Sequence, residues 1–271
     1  MAPTPHHPFG QNPAMTIHPL AAPLSVAARP ELTGGRRVGV LLSHGFTGSP
    51  ASMKPWGEFL AERGYAVEVP LLPGHGTTWQ DMNKTAWSDW YGEAARVFEK
   101  LSAENDAVVV AGLSMGGALM LRLAADNPGR VAGVVVVNPA LATKRLDVRL
   151  LPVLKHVVPS FPGIVNDIKK AGVEEHGYTR TPLRAAHSMF RAWPLLVADL
   201  PRITAPLLYF RSTVDHVVDE LTQPLITTRV SSPDITERRL EQSFHVATLD
   251  NDAPLIFQES ADFVARVTAA P

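Results

Sequence analysis

The chain has 271 residues, 45% of them hydrophobic, enough apolar material for one large α/β core. Its 25 basic and 26 acidic residues leave a net charge of −1 with no strong cluster of either sign, so nucleic acid is not expected as a partner. There is no cysteine, which excludes disulfides, thiolate metal sites and cysteine nucleophiles and suits a cytoplasmic protein.

Residues 1–18 are rich in Pro, His and Ala and follow neither a strand nor a helix period, so they are expected to form a disordered leader, with Met15 as a possible second start. No basic region followed by an apolar segment opens the chain, and prolines interrupt the stretch around Leu20 to Leu24, so no secretory signal is expected. No apolar run approaches the roughly 20 residues of a membrane span. Residues 19–271 are expected to form one α/β domain.

From about residue 37, strand and helix patterns alternate. Val38 to Leu42 reads as a buried strand, and Met53 to Arg63 as a helix ended by Gly64. Tyr65 to Val69 is the next strand. Thr85 to Leu101 follows as a helix whose apolar face carries Trp87, Trp90, Tyr91, Ala94, Ala95, Val97, Phe98 and Leu101. Ala107 to Ala111 is an unbroken apolar strand, Gly117 to Ala125 a helix of strong formers, and Val131 to Val137 another buried strand. Such alternation implies a mostly parallel sheet flanked by helices, with right-handed crossovers.

Between about 139 and 200 the rhythm breaks. The stretch holds several prolines and an apolar segment, Leu146 to Phe161, and its roughly 60 residues exceed an ordinary connection between strand and helix. An insertion beyond a strand's carboxyl end lies over the ligand-binding rim of an open α/β sheet, so this one is expected to roof a site as a cap. Alternation then resumes with strand Pro206 to Ser212, helix Glu220 to Val230, strand Ile235 to Leu240 and helix Ala253 to Val267.

The chemistry begins at Gly112-Leu113-Ser114-Met115-Gly116, placed between a buried strand and a helix. A Gly-x-Ser-x-Gly in that setting forms a nucleophile elbow, a strained turn that lifts the serine hydroxyl clear of the sheet. A serine hydroxyl needs a base within hydrogen-bond reach and a carboxylate to orient that base. Asp215, in the loop after strand 206–212, and His245, just before the last helix, stand in the expected order and place. His216 adjoins Asp215, but neighbours in an extended loop point apart. Asp219 and Asp234 are the other carboxylates in reach, and Asp219 sits where a helix cap is the ordinary role.

Donors for an oxyanion are expected from the backbone N–H groups of Met115 and of Phe46, the latter in the loop Ser43-His44-Gly45-Phe46-Thr47-Gly48. His44 and His75, the second within Gly74-His75-Gly76, are expected to be structural. The first βα turn lacks a Gly-x-Gly-x-x-Gly, and neither a P-loop lysine nor a His-Glu-x-x-His occurs.

The elbow, together with His44-Gly45-Phe46-Thr47-Gly48-Ser49-Pro50, Gly74-His75-Gly76-Thr77, Asp215-His216-Val217-Val218 and His245-Val246-Ala247-Thr248-Leu249-Asp250, resembles the α/β-hydrolases. Within them it is most similar to the bacterial monoacylglycerol lipase and small carboxylesterase branch. The resemblance spans about residues 37–267 and is weakest in the cap. It implies an α/β-hydrolase fold with a helical cap inserted after the sixth core strand. It also implies a triad of Ser114, Asp215 and His245, and an oxyanion hole of the Phe46 and Met115 N–H groups. The family's cap isoleucine on the acyl route and cap glutamate at the glycerol head fall at Ile164 and Glu175.

The expected activity is cleavage of carboxylic esters, foremost monoacylglycerols to fatty acid and glycerol, through an acyl-enzyme and with no metal or cofactor. A general short-chain carboxylesterase or thioesterase of the same fold, and a non-catalytic protein that binds an acyl ligand, are the alternatives. Expected partners are a small ester or lipid substrate and, transiently, lipid surfaces.

Overall fold

The computed structural model describes residues 18–269, and all but His18 of the expected leader lies outside them. The first strand is one that the apolar pattern does not announce, β1 (Leu24–Val26). It is followed by β2 (Val38–Ser43), α1 (Lys54–Glu62), β3 (Ala66–Val69), α2 (Trp79–Met82) and α3 (Trp87–Glu104). Next come β4 (Ala107–Leu113), α4 (Met115–Asp126) and β5 (Val131–Val137). The insertion contributes α5 (Leu151–Val157), β6 (Ser160–Pro162), β7 (Arg180–Pro182) and α6 (Leu183–Asp199). The chain closes with β8 (Leu207–Ser212), α7 (Thr222–Thr227), β9 (Ile235–Leu240) and α8 (Ala253–Val267).

Seven strands form one sheet in the order β1-β3-β2-β4-β5-β8-β9. Only β1 runs antiparallel, against β3. The six other strands are parallel. All six residues of β2 are buried, and the Val-rich runs of β4 and β5 are buried over nearly their whole length, as strands covered on both faces must be. Alternation along β2 sends Leu41 to one face and Val40 and Leu42 to the other. On the first face Trp90 and Phe98 of α3 and Leu119 of α4 pack over the sheet. On the second, Trp56 and Leu60 of α1 and Ile256 and Phe263 of α8 do so. Each fully buried large apolar side chain contributes about 1.5–3 kcal/mol, so these two layers dominate the stability of the sheet.

Register positions the site. Ser43 pairs with Gly112, Leu113 with Val137, Val137 with Phe210 and Ser212 with Leu240. The carboxyl ends of β2, β4, β5, β8 and β9 therefore finish level, and the loops that follow them share one rim.

Three expectations change. The insertion leaves the sheet after β5, the fifth strand in chain order, where the resemblance implied a sixth. It is also not wholly helical: β6 and β7 pair as a short antiparallel ribbon between α5 and α6. The helix expected over 220–230 is limited to Thr222–Thr227. Within the apolar segment 146–161, Leu151 is buried, whereas Leu146, Leu150, Val153 and Val157 stand in the open, so one side of α5 and of the turn before it faces outward. No helix among the described residues is long and apolar enough to cross a membrane.

Candidate active site

Ser114 is the residue between the end of β4 and the start of α4, and it holds φ +56° and ψ −119°, a strained conformation for a side chain with a Cβ. The turn is held from both sides: the Ser114 N–H donates to the Val137 carbonyl at 3.0 Å, and the Ser114 carbonyl accepts from Ala118 and Ala140, each at 3.2 Å. The flanking glycines are required by contact. A Cβ on Gly112 would lie 2.4 Å from the Gly116 backbone, and one on Gly116 would lie 2.1 Å from the Ser43 carbonyl oxygen. Strand, turn and helix thus pack backbone against backbone, and the elbow abuts the loop that begins at His44.

Asp215 and His245 meet across the rim. His245 Nδ1 lies 2.8 Å from Asp215 Oδ2, with both side chains about one-tenth exposed. The other Asp215 oxygen accepts the N–H groups of Val217 and Val218, both at 2.8 Å, so the carboxylate cannot swing away from the imidazole. Burial pulls the His245 pKa down, but the facing Asp215 charge and hydrogen bond, with Glu175 and Asp167 beyond, more than offset it and hold the imidazole above its ordinary value. Burial pushes Asp215 up, and His245 with the two N–H donors brings it below the usual carboxylate range. Each group thus favours the charged form of the other.

Ser114 and His245 open into one cavity of about 230 Å³ between the rim and the insertion. Its walls are mostly apolar, with Leu151, Leu154, Leu183, Met189, Phe190 and Trp193 supplied by the insertion. Phe46 and Met115 line it beside Ser114, and neither N–H is taken by an acceptor in the surrounding turns. Ile164 is at the edge of the cavity, more than half exposed. Glu175 reaches in from the insertion, with Oε1 2.7 Å from the point a Cβ on Gly48 would occupy. Among the described residues its carboxylate has no hydrogen-bonding partner, and its enclosure raises its pKa, with His245 pulling the other way.

The other histidines and carboxylates near the rim, and Asp234, are engaged elsewhere. His44 is fully buried: its Nδ1 faces the Gly45 carbonyl at 3.0 Å and its Nε2 accepts the Leu72 N–H at 3.3 Å, with burial lowering the pKa to about 4. His75 packs edge-on against His44 and Trp90, its Nδ1 on the Pro73 carbonyl. Both are neutral structural rings. The His216 ring turns away from Asp215 to meet Asp167 at 2.7 Å. Asp219 does not cap α7: its carboxylate accepts the N–H of Lys144, at the start of the insertion, because α7 begins only at Thr222. Asp234 pairs with Arg266.

Sequence reasoning missed three residues that hold the His245 loop. Asn138, at φ +44°, donates from Nδ2 to the His245 carbonyl at 2.8 Å and to Ser212 Oγ at 2.9 Å, while its Oδ1 accepts the Ser212 N–H at 2.8 Å. It ties the end of β5 to the ends of the two loops that carry Asp215 and His245. Asp250 is buried and accepts the N–H groups of Phe244, Lys169, Lys170 and Asn251. Asp167 accepts the His245 N–H itself. Of these, Asn138 follows a long valine run and Asp250 closes the block that begins at His245.

A sequence profile of the family described as "Serine aminopeptidase, S33" matches residues 35–252. The chain belongs to this family. The hydrolase is 37% identical over 249 residues to the thermostable monoacylglycerol lipase of Bacillus sp. (strain H-257), covering 90% of this chain and 97% of that one. It is 27% identical over 249 residues to a carboxylesterase of Bacillus subtilis (strain 168), covering 89% and 98%. A solved structure from work on the metagenome-derived lipolytic enzymes LipS and LipT superposes with a TM-score of 0.87 at 38% identity, covering 93% of the hydrolase and all of that chain. These findings match the expected fold class and family.

Proposed function

We propose that the hydrolase cleaves carboxylic esters through an acyl-enzyme on Ser114, with monoacylglycerols as its foremost substrates. The observation that carries this reading is the 2.8 Å Asp215–His245 pair together with a strained Ser114, with Ser114 and His245 lining one mostly apolar cavity. In it, His245 takes the Ser114 proton as the oxygen attacks the ester carbonyl. Asp215 holds the ring and stabilises its cation. The N–H groups of Phe46 and Met115 receive the oxyanion. Protonated His245 then gives its proton to the leaving alcohol oxygen, the acyl group stays on Ser114, and a water deprotonated by His245 releases the acid.

The apolar walls supplied by the insertion suit an acyl chain, with Ile164 at the mouth. Glu175 is a polar side chain of the insertion set close enough to influence His245 and not engaged by its loop, and an unpartnered carboxylate there suits the hydroxyl groups of a glycerol head. The exposed row Leu146, Leu150, Val153 and Val157, beside the cavity, is the surface we assign to transient contact with micelles or membranes.

A serine-reactive fluorophosphonate probe tests the core of the proposal. Wild type labels and turns over glycerol monoesters; Ser114→Ala does neither. Equal labelling of the two proteins, or turnover by Ser114→Ala, would end it.

A further inference from the structure

The loop of the insertion between β6 and β7 does more than shape the cavity. Asp167, with a side chain about one-tenth exposed, accepts the His245 N–H and the His216 N–H on Oδ2, each at 3.2 Å, and meets His216 Nδ1 with Oδ1 at 2.7 Å. Its own carbonyl accepts the Val246 N–H at 3.1 Å. One residue of the insertion therefore grips the backbone of the base and the residue next to the acid. Asp250 fastens the same loop from the opposite side through Lys169 and Lys170. Asn166 Oδ1 accepts the Glu175 N–H at 2.8 Å and closes the loop on itself.

We propose that Asp167 is a positioning residue: it fixes the His245 and Asp215 loops against each other so that the imidazole stays aimed at Ser114. The inference rests on the triad reading above. Two observations distinguish it from an ordinary clasp. The bond lies on the main chain of His245 itself, where a displacement moves the base directly. Its charge also lies near enough to the imidazole to add to Asp215 and Glu175 in favouring the imidazolium, while its Oδ1 meets the His216 ring. The fold makes the bond across 78 residues of sequence, so the insertion, usually concerned with substrate, takes part in setting the base.

The test measures kcat, KM and the pH profile of p-nitrophenyl butyrate hydrolysis for Asp167→Ala and Asp167→Asn, with thermal melts of each. Asp167→Ala is expected to lose roughly ten- to a hundredfold in kcat, the scale of a misplaced catalytic group, with KM changed less than about threefold. Removing a negative charge beside His245 also moves the acid limb of the profile to lower pH. Asp167→Asn keeps an acceptor for the main-chain N–H groups and regains most of the kcat while retaining the shifted limb. Glu174→Gln, an exposed carboxylate of the same loop, leaves both unchanged.

Folded Asp167 variants with wild-type kcat and an unmoved acid limb overturn the proposal. So does a kcat loss that comes only with a lower melting temperature and no shift of the limb. If Asp167→Ala does not fold, the Asp167→Asn profile decides alone. Ser114→Ala and His245→Ala, run in parallel, separate the two readings: turnover by either defeats the triad assignment, whereas inactivity of both with unaffected Asp167 variants defeats only the positioning role.

Discussion

Gly116→Ala is the sharpest probe of how the elbow is mounted. The added Cβ would stand 2.1 Å from the Ser43 carbonyl oxygen and 2.6 Å from the His44 carbonyl oxygen, against the 3.4 Å at which ordinary contact begins. Both obstacles are main chain, so no side-chain rotation relieves them, and the elbow and the end of β2 must part by more than about 1 Å. That movement separates Ser114 and Met115 from Phe46, the two sides of the expected oxyanion hole. A displacement of that size costs about a hundredfold in kcat/KM. Overpacking of a buried contact costs about 1–3 kcal/mol, which lowers the melting temperature by roughly 3–10 °C in a chain of this size.

Gly92→Ala serves as the reference. It sits exposed in α3, a Cβ there meets nothing within 4 Å, and the helix gains about 0.5–1 kcal/mol. Hydrolysis of p-nitrophenyl butyrate and a thermal melt, measured on both variants, decide the matter. Wild-type kcat/KM and an unchanged melt in Gly116→Ala would refute the steric argument and with it the backbone-to-backbone account of the elbow.

Three further outcomes follow from the site. His245 must be neutral to act as a base and its pKa is raised, so kcat/KM should fall as pH drops through a value above the ordinary histidine pKa of about 6.5, and a limb below that value contradicts the charge arrangement. Glu175→Gln should raise KM for 1-monoacylglycerols by about tenfold while changing kcat/KM for p-nitrophenyl butyrate less than about threefold, since only the former has a glycerol head; an equal effect on both substrates removes the head-group role. Glu175→Gln also removes a charge that favours imidazolium, which shifts the acid limb downward. Replacing Val153 and Val157 with serine should weaken co-sedimentation with phosphatidylcholine vesicles and leave hydrolysis of the soluble ester intact; undiminished vesicle binding rules out that face.

The legible parts of this chain are those in which local pattern and final environment agree. Val131–Val137 is an apolar run because both of its faces are covered, and Ser114 is marked by glycines, of which Gly112 is required by the turn itself and Gly116 by the backbone at the end of β2. β1 escaped notice because three residues, none of them fully buried and directly preceded by Pro23, carry no period. The insertion was visible as a break in rhythm, but its ribbon was not, since Ser160–Pro162 and Arg180–Pro182 pair through backbone groups whose side chains leave no alternation to read. Asp167, Asn138 and Asp250 lie deeper still. Each is a single polar residue in a loop, and the groups it holds come from distant stretches: Asn138 reaches His245 across 107 residues. Asp219 shows the converse error, where a residue with a strong local preference for capping was taken by the N–H of Lys144.

The grip of the insertion on the rim also limits how this protein can be rebuilt. Asn138 stands at the point where the chain leaves the sheet, and Asp167, Lys169 and Lys170 lie well inside the excursion that follows. A chimaera that borrows this whole segment from a relative to change substrate range exchanges the Asp167, Lys169 and Lys170 fastenings of the His245 loop. Recombination junctions are therefore better set around the ribbon, retaining 163–170 from the host and exchanging the α5 side separately from the α6 side. Substrate range and the placement of His245 then become separable variables, which an exchange at the sheet boundary would confound.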